Sequence, residues 1–263
     1  MNAALRSLGR LLALLLISGL ALQLYFVARI GVMAVVGPES TSFQRSEIFR
    51  LVVEKHELLW SQDWVPDARI APALKRAVIA SEDAGFVDHS GVEWDAIEAA
   101  WEKNQKAEAR AERTNEQLDK REAQREKAGK PVAKPAPRVT AKVVGGSTIT
   151  QQLAKNLFLS GERNAARKAQ EIVIAYMLEA VLDKRRILEI YLNSVEWGEG
   201  IFGAQAAARH YFHVDAAQLG AYPAARLAVM LPAPKRFEKN PASPYVNGRA
   251  GTIVARMGAV ELP

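Results

Sequence analysis

Gly145-Gly-Ser-Thr-Ile-Thr-Gln-Gln-Leu-Ala-Lys-Asn-Leu-Phe-Leu159 is the stretch that decides the fold of this chain. Thr148 and Gln151 stand in the spacing of a capping box, which predicts that a helix begins here. Apolar residues recur every four positions and give this helix a buried stripe: Ile149, Leu153 and Leu157. A helix N-terminus with Lys155 downstream suits an anion such as phosphate. The same residues also fit an ordinary capped helix without a ligand.

Composition limits the classes of function. The chain has 263 residues, of which 49% are hydrophobic, enough for one good-sized core or two small ones. A net charge of +6 favours anionic partners such as a membrane surface or a phosphorylated substrate. Cysteine is absent, which excludes disulfides, thiolate metal sites and cysteine nucleophiles. Basic residues do not alternate with aromatic ones as in single-strand nucleic-acid binders, so nucleic acid is not an expected partner.

The N-terminal region predicts a membrane anchor. Leu11 to Ala28 is uncharged and apolar, and apolar character resumes after Arg29 up to Gly37, which fits a span of roughly 20 residues. Two arginines, Arg6 and Arg10, precede the run, so the positive-inside rule places residues 1–10 in the cytoplasm and the rest outside. A cleaved signal peptide is the alternative, but its apolar core is about 7–15 residues and ends in a small-residue site. We therefore predict an uncleaved anchor over residues 11–37.

The rest of the chain divides into a membrane-proximal segment, 38–71, and a main domain, 72–263. The segment fits either an amphipathic helix near the bilayer or a plain surface helix. Within the domain, residues 102–143 are rich in Ala, Glu, Lys, Arg and Gln, and the stretch from Lys130 to Pro137 carries three prolines. This composition predicts an exposed insertion, helical at best. Since period-2 alternation is almost absent, the soluble part should be mainly α.

The first chemical candidate is Glu82. It lies in the last turn of an apolar helix that should end near Gly85. A helix C-terminus disfavours a carboxylate and raises its pKa, which suits general acid–base work. The alternative is a solvated Glu–Asp pair in a turn. His89 is either a third participant or a hydrogen-bonded structural residue.

The second candidate is Glu171, on a predicted long helix that runs to about Asp183. It shares an apolar face with leucines and should be partly buried, which requires a partner or a function. Arg163, Arg167 and Lys168 lie upstream, although such cations often form only surface salt bridges. His210 and His213 have no third ligand, so no metal site is predicted.

Four ordered motifs resemble those of the peptidoglycan glycosyltransferases: Glu82-Asp-x-x-Phe86-x-x-His89-x-Gly91, Gly145-Gly-Ser-Thr-Ile-Thr-Gln-Gln152, Arg167-Lys-x-x-Glu171 and Ile187-Leu-Glu-x-Tyr-Leu-Asn193. The resemblance runs from about Pro72 to Met257. The short chain and the anchor are similar to the monofunctional biosynthetic members. The insertion 102–143 departs from the family, whose members join the first two motifs by a shorter segment.

The resemblance implies a lysozyme-like, mainly α fold and an inverting enzyme that polymerises lipid II into glycan strands for bacterial cell wall synthesis, releasing undecaprenyl pyrophosphate. Glu82 matches the catalytic base, and Glu171 the glutamate that orients the donor. Lys155 and Arg163 match positions that hold the pyrophosphate. The remaining predicted substrate-binding residues are Ser147, Thr148, Gln151, Gln152, Arg167 and Lys168.

Further expectations concern surroundings and partners. The enzyme should be a single-pass protein of the inner membrane with a periplasmic catalytic domain. It should need no cofactor, and whether a divalent cation assists at the pyrophosphate is an open question. Its expected partners are lipid II, the growing strand and the bilayer, with cell-wall or division proteins left open.

Two other functions also fit these sequence features. A membrane-anchored muramidase or lytic transglycosylase would share the fold and a catalytic glutamate, because two carboxylates alone also fit a glycosidase. A tethered scaffold would use the charged insertion to bind partners. Ser-x-x-Lys and Lys-Thr-Gly motifs are absent, so no penicillin-binding transpeptidase is attached.

Overall fold

The protein is mainly α-helical, as predicted, in a computed structural model that describes residues 3–128, 137–141, 145–159, 161–162 and 164–263. Its helices are α1 (Ala3–Met33), α2 (Ser42–Arg50), α3 (Pro72–Glu82), α4 (Trp94–Lys127), α5 (Ile149–Phe158), α6 (Ala165–Val181), α7 (Lys184–Ser194), α8 (Gly203–Phe212), α9 (Ala221–Met230), α10 (Pro234–Phe237) and α11 (Pro244–Met257). Its strands are β1 (Ser61–Gln62), β2 (Glu196–Gly198) and β3 (Ile201–Phe202). A short π-helix, Leu51–Lys55, extends α2.

The chain forms two compact units, and the larger consists of Met1–Val92 and Thr148–Pro263. One part of its core joins α3, α9 and α11, and another joins α5 to α6 and α7. Pro72 opens α3 at a position where its missing N–H is harmless. The inward residues, such as Leu74, Leu227 and Ile253, are almost completely buried. Each such side chain contributes about 1.5–3 kcal/mol to stability.

Helix α5 begins as predicted. The Thr148 side chain accepts from the Gln151 N–H at 3.1 Å, and the Gln151 side chain accepts from the Thr148 N–H at 3.0 Å. Its predicted apolar stripe is buried: Ile149, Leu153 and Leu157. The capping box therefore fixes where the helix starts, and the stripe fixes which side faces the core.

Helix α1 has a span from Arg6 to Met33 that is long and apolar enough to cross a membrane, and an 18-residue window within it has a mean hydropathy of 2.3. This is consistent with a single-pass anchor. The second half of the helix also packs on the folded domain, because Phe26, Ile30 and Met33 are buried. Its Gln23 exchanges two 3.0 Å hydrogen bonds with Gln170 of α6.

The smaller unit, Glu93–Ser147, is dominated by the 34-residue helix α4. The predicted insertion is thus helical as far as Lys127, as the i,i+4 charge pattern favours. Val139 runs back beside this helix and exchanges two hydrogen bonds with Asn115, at 2.9 and 3.0 Å. The rest of the insertion, 129–136 and 142–144, lies outside the described residues.

The glycines in residues 195–203 predict a loop from the sequence alone, and this prediction is wrong. The hairpin β2–β3 occupies this stretch, and β1 adds to it in parallel to give the order β1-β3-β2. Strands of two or three residues are too short for alternation to be visible in a sequence. The hairpin turn needs Gly200, whose φ is +73°, because a Cβ there would lie 2.1 Å from the Leu59 carbonyl oxygen.

One short helix and two helix boundaries also differ from what the sequence predicts. The proline-rich loop after Leu231 contains the short helix α10. The sequence predicts a last helix over about Gly248 to Val260, whereas α11 already begins at Pro244, a residue that is compatible with a first helical turn. Helix α3 ends at Glu82 rather than near Gly85.

A buried carboxyl group, Glu196, lies where the hairpin meets α2 and α10. Its Oε1 atom is 3.5 Å from the Lys235 ammonium and has no hydrogen-bond partner within the described part of the chain. Lys235 itself bonds to Glu47. Burial raises the pKa of Glu196 to about 7, and the charge of Lys235 opposes this only in part. The ionised group therefore lowers the stability of the fold.

We expect Glu196→Gln to stabilise the protein by about 2–3 kcal/mol at pH 8 and by almost nothing at pH 4.5, since one pKa unit is about 1.36 kcal/mol. The folded-state pKa is raised, so the favourable contribution is complete below the ordinary pKa and is lost as pH rises through about 7. Urea unfolding in detergent at both pH values measures this. The exposed Glu57→Gln is the control, and equal pH dependence in wild type and Glu196→Gln would contradict the account.

Candidate active site

Glu82 is the last residue of α3, and the next residue explains why the helix stops there. Asp83 leaves the helix, and its Oδ2 accepts a 2.9 Å hydrogen bond from the N–H of Ile149. Its Oδ1 lies 2.8 Å from His89 Nε2, so the imidazole is hydrogen-bonded as the structural interpretation required. This clamp holds the turn after α3 against the start of α5.

The half-buried carboxyl group of Glu82 is held by α5. Gln152 Nε2 donates to Glu82 Oε2 at 3.1 Å, and Tyr191 Oη donates to Gln152 Oε1 at 2.9 Å. Burial raises the pKa of Glu82, while the hydrogen bond from Gln152 and the charge of Lys155 act in the opposite direction. The pKa of Glu82 is therefore raised, as predicted, and burial is the largest cause. Such a group can accept or release a proton nearer neutral pH than an ordinary glutamate.

The N-terminus of α5 is not open to an external anion in the way that the sequence suggested. Asp83 already takes the Ile149 N–H, and the Thr148 hydroxyl takes the Gln151 N–H. The anion at this helix end is thus a carboxylate of the protein. The phosphate expectation is wrong for these two amides, because Asp83, 66 positions away, occupies the first and Thr148 of the cap itself occupies the second.

Glu171 is more deeply buried than predicted, with 3% of its surface exposed. Arg167 Nη1 lies 2.9 Å from one carboxylate oxygen, and Lys168 Nζ lies 2.5 Å from the other. Both cations come from the preceding turn of α6, where i,i+3 and i,i+4 neighbours meet. Two positive charges and one negative charge leave this cluster with a net charge of +1, so it can still attract an anion.

The predicted substrate-binding residues fall into two groups. Thr148 and Gln151 are buried in the cap, and Thr148 also donates to the Gly91 carbonyl at 2.6 Å. Their predicted role in substrate binding stays a prediction. Gln152 contacts Glu82, and Lys155 is exposed on α5.

Two other predicted residues remain predictions. Ser147 belongs to the Glu93–Ser147 unit. Arg163 lies outside the described residues.

The sequence did not reveal the network behind Glu82. Lys184 Nζ lies 2.8 Å from Glu179, donates to the His89 carbonyl at 2.6 Å and sits 4.6 Å above the Phe86 ring. Thr150 donates to the same Glu179 oxygen at 2.6 Å. These contacts join α5, α6 and α7 to the turn after α3. Only the motif residues Phe86 and His89 gave any signal of it.

The Transglycosylase family model matches residues 53–115 and 133–258. The chain belongs to the transglycosylase family. The lysozyme-like, mainly helical fold of this family is thereby confirmed, as is the prediction of a glycosyl-transferring enzyme. The transglycosylase model leaves residues 116–132 unmatched, a stretch that begins within α4.

Curated relatives of this transglycosylase-family chain carry the name biosynthetic peptidoglycan transglycosylase. The protein from Burkholderia pseudomallei is 49% identical over 93% of this chain and 83% of its own length. The protein from Paraburkholderia xenovorans is 47% identical over 95% of this chain and 91% of its own length. The one from Bordetella pertussis is 47% identical over 92% and 88%.

Proposed function

We propose that the chain is a peptidoglycan glycosyltransferase that polymerises lipid II into glycan strands, with inversion at C1 and release of undecaprenyl pyrophosphate. The observation that carries this proposal is the Glu82 carboxyl group, held by Gln152 within the electrostatic influence of Lys155. The names of relatives at 47–49% identity support the choice of peptidoglycan.

Glu82 acts on the acceptor. In its ionised form it takes the proton of the acceptor's 4-hydroxyl group while that oxygen forms a bond to C1 of the growing chain. The bond between C1 and the pyrophosphate oxygen breaks in the same displacement, and its electrons stay with the leaving group. Because burial raises the pKa of Glu82, the carboxylate is a stronger base than an exposed glutamate.

The cations act on the donor. Pyrophosphate is a good leaving group, so positive charge can replace a general acid. Lys155 and Arg163 are the proposed pyrophosphate ligands. Arg167 and Lys168 form the second positive cluster, which Glu171 keeps in place. A muramidase would not need these cations at its leaving group.

The anchor places the reaction at the membrane. We propose that α1 crosses the bacterial inner membrane with its N-terminus in the cytoplasm and the catalytic domain in the periplasm. Lipid II and the growing strand then share the bilayer with the enzyme. Cell-wall or division proteins are further proposed partners. The reaction needs no cofactor, because side-chain cations supply the charge at the pyrophosphate.

Purified full chain in detergent, incubated with labelled lipid II and with preformed glycan, tests the proposal. Polymer formed from lipid II, with EDTA present, is the expected product. Cleavage of preformed glycan without polymer would replace the proposal with a lytic enzyme. If neither activity is found, the tethered scaffold is the function that remains. If polymer forms only after a divalent cation is added, the statement that no cofactor is needed is overturned, but the rest of the proposal stands.

Lys155→Ala is expected to lower kcat about 10²-fold, because a charge that stabilises the leaving group is lost. Thermal unfolding should hardly change, since the side chain is exposed. Lys155→Arg should retain more activity, and the exposed Lys239→Ala serves as the matched control. Unchanged turnover in Lys155→Ala would remove this residue from the pyrophosphate site.

A further inference from the structure

Three side chains form a hydrogen-bonded chain that ends on Glu82. Tyr191 of α7 donates to Gln152 of α5 at 2.9 Å, and Gln152 donates to Glu82 of α3 at 3.1 Å. Tyr191 is completely buried. Tyr191 is not one of the groups that transfer the proton or hold the pyrophosphate in the proposed reaction.

The direction of these hydrogen bonds depends on the charge of Glu82. A carboxylate can only accept, so the NH₂ end of the Gln152 amide must face it. The amide oxygen then faces Tyr191, whose hydroxyl group donates. Burial raises the pKa of Tyr191 well above its ordinary value of 10, so this donor keeps its proton at every pH at which the enzyme works.

Protonated Glu82 is a weaker acceptor for the Gln152 NH₂ group and gains an O–H donor, which can be used toward Gln152 only in the opposite arrangement. It could donate to the amide oxygen if the Gln152 amide turned over, and the NH₂ group would then donate to Tyr191 Oη. The hydroxyl hydrogen of Tyr191 would lose its acceptor, since the structure gives it no second one among the described residues. A buried donor without a partner is unfavourable. Tyr191 therefore disfavours the protonated state of Glu82.

We propose that Tyr191 is a positioning residue that acts through Gln152 to keep Glu82 ionised, with one carboxylate oxygen turned toward the acceptor. This inference rests on the proposed role of Glu82 as the base. Among the described residues, the other polar groups that act on Glu82 are its sequence neighbours Ser81 and Asp83 and, on α5, Lys155. Asp83 is tied to His89 and Ile149 and opposes ionisation, while Lys155 favours it.

Tyr191→Phe tests the inference through the pH profile. We expect the acid limb of kcat/KM for lipid II polymerisation to move up by about one pH unit, since loss of one buried hydrogen bond is of that size. At high pH, kcat/KM should return close to the wild-type value. Tyr211→Phe is the matched control, because that hydroxyl donates to the Trp197 carbonyl at 2.8 Å. Its acid limb should stay in place.

Gln152→Met gives a second, independent test. It should raise the acid limb at least as far, and adding Tyr191→Phe should cause no further shift. A wild-type limb in Gln152→Met, or equal shifts by Tyr191→Phe with and without Gln152, would overturn the inference. If Tyr191→Phe does not fold, Gln152→Met alone decides.

Carbon-13 titration of labelled glutamate, with Glu82→Gln to assign the signal, measures the same pKa without turnover. It should rise in Tyr191→Phe and stay constant in Tyr211→Phe; an unchanged pKa in Tyr191→Phe would overturn the inference. A wild-type protein that makes no polymer would defeat the proposed function instead.

Discussion

Glu82→Gln is expected to reduce polymerisation of lipid II by about 10³-fold, because general base catalysis is typically worth 10²–10⁴-fold. The amide has nearly the shape of the carboxyl group but cannot accept the proton of the acceptor hydroxyl. Gln152 can still hydrogen-bond to it, so the fold should persist. Initial rates with labelled lipid II, with thermal unfolding as the check on folding, measure the effect.

The control for this substitution lies on the same turn. Asp88 is exposed, so Asp88→Asn removes a neighbouring carboxylate without touching Gln152. Its rate should stay within about twofold of the wild type. A Glu82→Gln protein that polymerises at the Asp88→Asn rate would show that the base is another residue.

Glu171→Gln is expected to lower both activity and stability. The carboxylate holds Arg167 and Lys168 at 2.9 and 2.5 Å, and breaking a buried ion pair costs about 3–5 kcal/mol. Lys168 is partly exposed and can turn to water, so we expect a loss of about 2 kcal/mol. Since the two cations then lose their fixed geometry, kcat should fall about 10²-fold.

The matched control is Glu189→Gln, which breaks a similar i,i+3 pair with Arg186 at 3.0 Å on α7. It should lower stability but leave kcat nearly unchanged. Urea unfolding and lipid II turnover on both variants separate the two effects. A Glu171→Gln protein that loses stability yet keeps full kcat would make Glu171 purely structural.

The sequence predicted those parts of the site that depend on local spacing. The cap of α5 needs only Thr148 and Gln151, three positions apart, and the two cations beside Glu171 lie on its own helix. Such i,i+3 and i,i+4 relations are fixed by helix geometry, so a pattern of residues reveals them. Glu82 was found for the same reason, as a carboxylate at the end of an apolar helix.

Contacts between distant segments were not predictable in this way. Asp83 reaches Ile149 across 66 positions, and Tyr191 reaches Gln152 across 39. These two contacts decide which groups at α5 remain for a ligand and how Glu82 is held. The phosphate expectation failed at the Ile149 amide for this reason, because the residue pattern of one segment cannot show that another segment occupies its N–H group.

The hairpin was missed for a different reason. Its strands contain two and three residues, and their inner side chains, Trp197 and Phe202, are buried by contacts with other elements. Alternation needs about four residues before it can be distinguished from a loop. A glycine is needed at position 200 because the carbonyl oxygen of Leu59, in the membrane-proximal segment, lies close to it.

The central claim is that each glycosidic bond is formed by displacing undecaprenyl pyrophosphate from a lipid-linked donor. The most direct measurement counts this product and the new linkages in the same reaction of purified full chain with doubly labelled lipid II. The account predicts one undecaprenyl pyrophosphate for each disaccharide joined, with the rates of both falling together by about 10³-fold in Glu82→Gln. Glycan ends that appear by cleavage without release of undecaprenyl pyrophosphate would contradict it.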